Sequence, residues 1–149
     1  MSIRKASVKD MNKCLEIEYP QTREKKEIFK NNFIRQVKKD DYLLLVAEIN
    51  GEVMGFISCR KDAWNKLFYI EQLFIHEKQR GKGYGAELIS EVIKKAKQLK
   101  FRMIFLDIPP QNKRAMKFYL RYGFQKSGQI KGLYDEKKEP DAVILSYKL

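Results

Sequence analysis

The six residues from Arg80 to Gly85 are the part of the sequence best suited to binding a charged ligand. Three alternating glycines, Gly81, Gly83 and Gly85, let the backbone turn tightly and let its N–H groups approach a bound molecule. An amphipathic helix is predicted to follow, and a helix N-terminus favours an anion such as a pyrophosphate. Arg80 and Lys82 add charge-assisted contacts. The loop therefore predicts a phosphate-binding site rather than a plain basic turn.

Two known phosphate motifs can be compared with this loop. The ATP-binding pattern G-x-x-x-x-G-K-[ST] is absent. The dinucleotide pattern G-x-G-x-x-G/A is matched by Gly81, Gly83 and Ala86, with Asp107 about 20 residues further on. Against a dinucleotide site, residues 76–80 separate the preceding strand from the first glycine, and the chain is short for two mononucleotide-binding halves. A dinucleotide-dependent oxidoreductase is the less favoured alternative.

The elements that must position the loop follow from hydrophobic periodicity. Residues 67–75 are apolar on both faces, which is typical of an interior strand, and residues 83–100 carry an apolar stripe at helical spacing. Asn50-Gly51 between two apolar runs predicts a type I′ hairpin turn. Ser7 and Asp10 form a capping pattern for a first helix, which Pro20 is expected to interrupt. Strands are predicted at 3–6, 42–49, 52–60, 67–75, 101–108, 124–129 and 142–147, and helices at 8–18, 22–38, 83–100 and 112–122.

This order of elements predicts the fold class. Helices that cross between strands require at least one parallel strand pair, so we expect an α/β or α+β sandwich. The 149 residues are enough for one domain, expected over residues 1–149. Apolar residues make up 44% of the chain, which argues against a largely disordered protein.

The net charge of +12 points to a polyanionic partner. Nucleic acid, an anionic membrane face or a phosphorylated ligand would each fit, and so would a solvated lysine-rich surface without a partner. A basic nucleic-acid-binding module is therefore an alternative function. The aromatic residues fall at core spacing and are not interleaved with arginine as in a base-stacking surface, so this alternative is not favoured.

Cysteine and histidine give little sign of a metal site or a disulfide. Cys14 and Cys59 are far apart in sequence, and His76 is the only histidine. The first residues contain no signal-peptide pattern, and no apolar run is long enough to span a membrane. We therefore expect a cytoplasmic protein with reduced thiols, no metal and no membrane partner.

Two segments carry a resemblance to a known family. The stretch from Leu73 to Gly85 resembles the acetyl-CoA motif of the GCN5-related N-acetyltransferase (GNAT) superfamily, whose pattern Arg/Gln-x-x-Gly-x-Gly/Ala is filled by Arg80, Gly83 and Gly85. A downstream segment is similar to the family sequence "N…A…FY…GF". Its matching residues are Asn112, Ala115, Phe118, Tyr119, Tyr122, Gly123 and Phe124. The resemblance covers nearly the whole chain. It implies a GNAT-like mixed, mainly antiparallel central sheet with a splayed parallel strand pair, flanked by about four helices.

The resemblance implies acetyl-CoA as cosubstrate. Its pyrophosphate would rest on the amides of the glycine-rich loop, and its pantetheine arm would run in a splay between strands 67–75 and 101–108. Backbone groups of Leu73 and Ile75 would pair with the arm as with a neighbouring strand. Asn112 would contact the arm, although its position also allows a helix N-cap. The implied cofactor-binding residues are Leu73, Phe74, Ile75, Arg80, Gly81, Lys82, Gly83, Tyr84, Gly85, Asn112 and Tyr119.

Direct acetyl transfer to an amine needs a base, because an ammonium with a pKa of roughly 10 must lose a proton before attack. Glu71 is the only charged residue in strand 67–75, and strand alternation places it on one face with Tyr69, Leu73 and Ile75. An apolar environment makes a carboxylate a stronger base. Some family members have the base at this position, and others have it two residues earlier, where this chain has Tyr69. The competing interpretation of Glu71 is an ion pair with a surface lysine.

Tyr119 is the candidate acid for the leaving thiolate. It lies seven residues after Asn112, which matches the family's helix tyrosine near the sulfur. A phenol with a pKa of roughly 10 is protonated at neutral pH and can donate. The competing interpretation is core packing. A backbone N–H near Leu73 is expected to hold the oxyanion of the tetrahedral intermediate.

The expected acceptor is a primary amine, small or at a protein N-terminus. Tyr134 and Asp135 resemble a segment that precedes the last strand in members that acetylate protein N-termini, although Leu133 replaces one tyrosine of that segment. A peptide or protein α-amine is therefore favoured. A polyamine is less favoured, because a net charge of +12 repels a polycation. Both a monomer and a homodimer are compatible with the sequence.

Overall fold

The computed structural model describes residues 1–135 and 139–149, and its elements follow the predicted order. The strands are β1 Ser2–Lys5, β2 Tyr42–Ile49, β3 Glu52–Asp62, β4 Leu67–Ile75, β5 Met103–Ile108, β6 Gln125–Asp135 and β7 Glu139–Lys148. The helices are α1 Met11–Thr22, α2 Lys26–Lys38, α3 Tyr84–Gln98 and α4 Lys113–Arg121. Short 3-10 turns at Val8–Asp10 and Glu77–Gln79 lead into α1 and toward α3.

All seven strands form one sheet in the order β1-β2-β3-β4-β5-β7-β6. In the described residues, β4 and β5 are the one parallel pair, and every other neighbouring pair is antiparallel. This pair is parallel because α3 carries the chain back along the sheet before β5 begins. The structure confirms the expected mixed, mainly antiparallel sheet with four helices.

The β2–β3 hairpin turns at the predicted dipeptide. Asn50 and Gly51 have φ angles of 53° and 79°, and a type I′ turn needs positive φ at both positions. The hairpin fixes the register of β2 against β3, which brings Tyr42 opposite Arg60. Both of these side chains take part in the site described below.

Two apolar clusters hold the helices on opposite faces of the sheet. The larger cluster packs α3 and α4 on one face, and it contains Leu88, Val92 and Tyr119. The smaller cluster packs α1 and α2 on the other face, and it contains Phe29 and Phe33. The two surfaces are called here the α3/α4 face and the α1/α2 face. Successive side chains along a strand point to opposite faces of a sheet.

Helix α1 continues through Pro20, which is contrary to the predicted break at this residue. Pro20 lies in the last turn, so its missing N–H removes only one backbone hydrogen bond near the helix end. The turn is closed by a side-chain bond from Gln21 Nε2 to the carbonyl of Ile17 at 2.7 Å. Arg23 then ends the helix with a left-handed φ of 57°.

The predicted capping pair at the N-terminus is present. Asp10 accepts a hydrogen bond from the Ser7 N–H at 2.8 Å and two bonds from the Arg4 guanidinium, both at 2.9 Å. These bonds, first of all the ones from Arg4, lower the pKa of the Asp10 carboxyl. The pair ties β1 to the start of α1.

Asp10→Asn is expected to lower the free energy of unfolding by about 2 kcal/mol at pH 7, because it removes hydrogen bonds to a charged group. A lowered folded pKa stabilises the protein above the unfolded pKa of about 3.9, and this contribution is lost as pH falls below it. Urea unfolding at pH 7 and at pH 3 measures both effects. The exposed Asp41→Asn is the matched control. If the difference in unfolding free energy between wild type and Asp10→Asn is as large at pH 3 as at pH 7, this explanation is contradicted.

Candidate active site

The parallel pair β4–β5 opens partway along its length. Its ladder contains three residue pairs, which begin at Leu67–Met103 and end at Tyr69–Phe105. Beyond them β4 stays paired with β3 as far as Ile75, and β5 stays paired with β7 as far as Ile108. Each strand follows its antiparallel neighbour, so a wedge opens between them. This confirms the predicted splay.

A cleft of about 970 Å³ lies at the wedge and is lined from both faces of the sheet. Gly85 of α3 and Ala115 and Phe118 of α4 line it from one side, and Ile17 and Thr22 of α1 line it from the other. The cleft therefore has walls on both faces of the sheet. A ligand held on the α3/α4 face can reach a second molecule on the α1/α2 face.

The glycine-rich loop is fixed to the end of β4. Arg80 Nε donates to the carbonyl oxygen of Ile75 at 3.2 Å, so the loop folds back on the strand that precedes it. Gly83 is the N-cap of α3 with φ of 89°, and its carbonyl accepts the first helical bond from the Glu87 N–H at 3.1 Å. The N–H groups of the first turn before Glu87 have no acceptor inside the helix. Unpaired N–H groups at a helix N-terminus favour an anion, which is the ligand that the sequence predicts for this loop.

Seven of the predicted cofactor-binding residues line the cleft, namely Leu73, Phe74, Ile75, Arg80, Gly85, Asn112 and Tyr119. The other four, Gly81, Lys82, Gly83 and Tyr84, form the loop that joins two of these lining residues. Lys82 Nζ donates to Gln79 Oε1 at 3.0 Å within this loop. Tertiary folding thus brings the two motif segments, far apart in sequence, to one cleft.

Asn112 has the helix-capping role that its position allows, and it also faces the cleft. Its Oδ1 accepts the Ala115 N–H at 3.1 Å, so the side chain caps α4. The residue also lines the cleft. With the oxygen used by the cap, the amide NH₂ is the group that can donate to a ligand.

Tyr119 is one of the residues that line the cleft, and it is 6% exposed. Its ring packs edge-on against Phe118 and Phe124, with centroids 5.1 and 5.3 Å away. Burial raises the pKa of the Tyr119 hydroxyl well above its ordinary value. The phenol therefore keeps its proton throughout the neutral range, and the residue combines core packing with access to the cleft.

Glu71 differs from its predicted environment because β4 contains a bulge. Ser58 of β3 pairs with Gln72 and Cys59 pairs with Ile70, so Glu71 is the extra residue between them. A bulge shifts the alternation of side chains by one position. The prediction that Glu71 shares a face with Leu73 and Ile75 is therefore wrong.

Those two residues pack against the α3/α4 cluster, whereas the Glu71 carboxylate lies on the α1/α2 face among polar groups. Arg60 Nη1 and the Tyr42 hydroxyl donate to Oε1 at 3.2 and 3.4 Å, and Gln36 Nε2 donates to Oε2 at 3.2 Å. The expectation of apolar neighbours is wrong as well. Glu71 forms an ion pair with an arginine of the adjacent strand, not with a surface lysine.

Asp107 entered the sequence analysis only through the dinucleotide pattern, and the structure gives it two specific partners. The hydroxyls of Tyr69 and Tyr134 donate to its two oxygens, the Tyr134 bond at 2.8 Å. Asp107 lies on the α1/α2 face, because its neighbours Leu106 and Ile108 belong to the α3/α4 cluster. It is therefore on the opposite face from α3, which does not fit the ribose contact of a dinucleotide site. The sequence does contain a sign of its importance, because Asp107 is the one carboxylate within the predicted strand 101–108.

Cys14 and Cys59 are buried free thiols on opposite faces of the sheet. Across residues 1–135 and 139–149, no three His, Cys, Asp or Glu side chains are grouped to hold a metal ion. Within the same residues, no helix combines the length and apolarity needed to cross a bilayer.

Solved structures share this architecture. The ribosomal-protein-alanine N-acetyltransferase of Brucella melitensis superposes with a TM-score of 0.84 at 20% identity, covering 100% of both chains. An acetyltransferase of Bacillus anthracis, solved in complex with acetyl coenzyme A, superposes with a TM-score of 0.71 at 26% identity, covering 77% of this chain and 66% of that one. The splayed sheet and its glycine-rich loop therefore define the fold of these acetyltransferases.

Sequence comparison names the family. Residues 8–124 match the Acetyltransferase (GNAT) family. An uncharacterized N-acetyltransferase of Archaeoglobus fulgidus is 30% identical over 134 residues, which is 80% of this chain and 89% of that protein. Another, from Methanocaldococcus jannaschii, is 32% identical over 102 residues, 64% of this chain, and the match spans 45% of that protein's length. The chain belongs to the GNAT family of acetyltransferases.

Proposed function

We propose that the protein transfers the acetyl group of acetyl-CoA directly to a primary amine, with both substrates held at the splay. The observation that carries this proposal is the cleft with walls from both faces of the sheet, beyond the point where β4 and β5 part. Cosubstrate and acceptor can approach from opposite faces and meet inside the wedge, so no covalent enzyme intermediate is needed.

The coenzyme is proposed to lie on the α3/α4 side. Its pyrophosphate binds the first-turn N–H groups of α3 with help from Arg80 and Lys82. The pantetheine arm runs along the free edge of β4, where Leu73 and Ile75 offer backbone groups that β5 does not pair. Asn112 donates to the arm through its amide nitrogen, and the thioester reaches Tyr119.

The amine nitrogen attacks the thioester carbonyl carbon, a C–N bond forms, and the C–S bond breaks as the tetrahedral intermediate collapses. A backbone N–H near Leu73 holds the oxyanion. Tyr119 gives its proton to the leaving thiolate and regains one from the nitrogen that has become an amide. The other ammonium proton leaves before attack, and Glu71 is the proposed acceptor of that proton, directly or through water.

Within primary amines, we favour the α-amine of a peptide or protein. The support is Tyr134, which the β6–β7 hairpin brings to the acceptor side, and the substrate class in the name of the Brucella melitensis neighbour. A Bacillus subtilis relative, 32% identical over 87 residues, is named a spermine/spermidine acetyltransferase, so a polyamine belongs in the substrate panel. The buried free thiols Cys14 and Cys59 support the reducing cytoplasm as compartment.

Thermal unfolding with acetyl-CoA, CoA, NADH and a short RNA in parallel tests the cosubstrate. A ligand at 100 times its dissociation constant adds about 2.7 kcal/mol, which raises the melting temperature of a domain of this size by roughly 5–10 °C. We expect a shift with acetyl-CoA and CoA only, followed by thiol release with amines. A shift with NADH or RNA and none with acetyl-CoA would overturn the proposal.

Glu71→Gln tests the proposed base. We expect kcat to fall by about 100-fold, with the largest loss at low pH, where the amine is mostly ammonium. The measurement is thiol release against pH with a saturating amine. Glu52→Gln, an exposed glutamate at the start of β3, is the matched control and should match wild type. A pH profile of Glu71→Gln that coincides with that of wild type would remove Glu71 as base.

A further inference from the structure

We propose that Asp107, together with Tyr69 and Tyr134, is the binding site for the cationic ammonium group of the acceptor. This inference rests on the proposed function and names its substrate class: a primary amine that arrives positively charged, with no carboxylate beside the nitrogen.

Asp107 is a half-buried carboxylate held by neutral donors. Both of its oxygens accept hydrogen bonds from phenols, one from β4 and one from β6. Among the side chains that the structure describes, no lysine or arginine forms an ion pair with it. A partly desolvated carboxylate without a cation is costly, and an ammonium ligand would neutralise it.

Asp107 is not one of the residues that line the cleft, and its place on β5 puts it next to the opening of the wedge. It lies two residues beyond Phe105, the last β5 residue paired with β4, so it belongs to the part of β5 that borders the wedge. Pro109, two residues further on, lines the cleft. Asp107 faces the α1/α2 side, which is opposite to the phosphate-binding loop and is the side left for the acceptor.

The two phenols each occupy one acceptor position of the Asp107 carboxylate and leave the others open for further hydrogen bonds. Burial first, and then the bond to Asp107, raises the pKa of the Tyr69 hydroxyl, which therefore stays a donor. Each carboxylate oxygen has two lone pairs, and a phenol uses one of them. The lone pair left on each oxygen can accept from the three N–H groups of an ammonium ion.

The charge on this face favours the same ligand. Two guanidinium groups, Arg35 and Arg60, and three carboxylates, Asp62, Glu71 and Asp107, belong to this polar region, which leaves one negative charge on this part of a protein of net charge +12. The Tyr69 ring stacks on Phe105 with centroids 4.8 Å apart. The Arg60 guanidinium lies 5.1 Å from the centroid of the Tyr69 ring, so this ring already has a cation partner, and the acceptor contact assigned to Tyr69 is the hydrogen bond that orients Asp107.

Asp107→Asn tests the site because it removes the charge and keeps the shape. The probes are alanine amide, a cationic amine, and alanine, the same amine with a neighbouring carboxylate. In wild type we expect alanine amide to be the better acceptor. In Asp107→Asn we expect its KM to rise at least tenfold, the size of a lost hydrogen bond to a charged group, while the KM for acetyl-CoA stays within twofold. The preference for alanine amide over alanine should fall at least fivefold.

Asp41→Asn is the matched control, since it makes the same chemical change at an exposed position outside the site. Tyr134→Phe, which removes one phenol donor and keeps the charge, should raise the KM for alanine amide only a few-fold. An Asp107→Asn enzyme that keeps both the KM for alanine amide and the preference for it would overturn the inference while leaving the acetyltransferase proposal intact. A wild type that binds acetyl-CoA and acetylates no amine of the panel would instead overturn the proposed function, and this inference with it.

Discussion

Tyr119→Phe should reduce kcat by about 100-fold or more while acetyl-CoA binds as tightly as to wild type. The substitution removes only the hydroxyl, which is the proposed proton donor to the leaving thiolate, and such donors contribute roughly 10²–10⁴-fold. The phenylalanine ring keeps the edge-on contacts with Phe118 and Phe124, so the melting temperature should change little. The measurements are thiol release at saturating substrates and thermal unfolding with acetyl-CoA.

The control is Tyr122→Phe, which makes the same change on an exposed tyrosine one helical turn away. Its kcat should equal that of wild type. The raised pKa of Tyr119 adds a second expectation: wild-type kcat should show no falling limb from loss of this proton below pH 10. A Tyr119→Phe enzyme within threefold of wild-type kcat would assign Tyr119 to core packing alone.

Gly83→Val should weaken acetyl-CoA binding by at least tenfold. Gly83 has φ of 89°, a conformation that a β-branched residue adopts only under strain. Strain of this kind costs about 1–3 kcal/mol, and the loop relieves it by moving. Movement at the N-cap turns the first N–H groups of α3 away from the pyrophosphate. Titration of acetyl-CoA by calorimetry measures the loss directly.

Gly51→Val separates strain from ligand binding. Gly51 has φ of 79° in the β2–β3 hairpin, and at both glycines an added Cβ would meet no atom within 4 Å. The two variants should therefore lose similar unfolding free energy, and only Gly83→Val should lose acetyl-CoA affinity. Equal affinities in the two variants would show that the N-terminus of α3 does not hold the cosubstrate.

Local sequence determined the elements and the cofactor side of the site. The type I′ turn at Asn50-Gly51, the apolar stripe of α3 and the glycine-rich loop each depend on residues close together in the chain. Their conformations follow from backbone sterics and helix periodicity, which act over a few residues. The opening between β4 and β5 was also predicted from local sequence, because the family resemblance that implied it rests on two such motifs.

Local sequence could not predict the side of the sheet to which each side chain of β4 points. Strict alternation puts Glu71 with Leu73 and Ile75, and one inserted residue moves it to the other face. The bulge arises from the pairing of β4 with β3. The alternation of residue types along one strand does not show how that strand pairs with its neighbour. The guanidinium that meets Glu71 comes from β3 and its amide donor from α2.

The chain by itself thus determined the glycine-rich loop ahead of α3, the helix tyrosine Tyr119 and the element order of an acetyltransferase. Only the tertiary structure decided what surrounds the two carboxylates. Asp107 meets phenols that are 38 and 27 residues away in the chain, from β4 and β6. Hydrogen bonds across a sheet depend on strand order and register, which the whole fold fixes together. The environment of a charged group is therefore the property that a local pattern predicts least well.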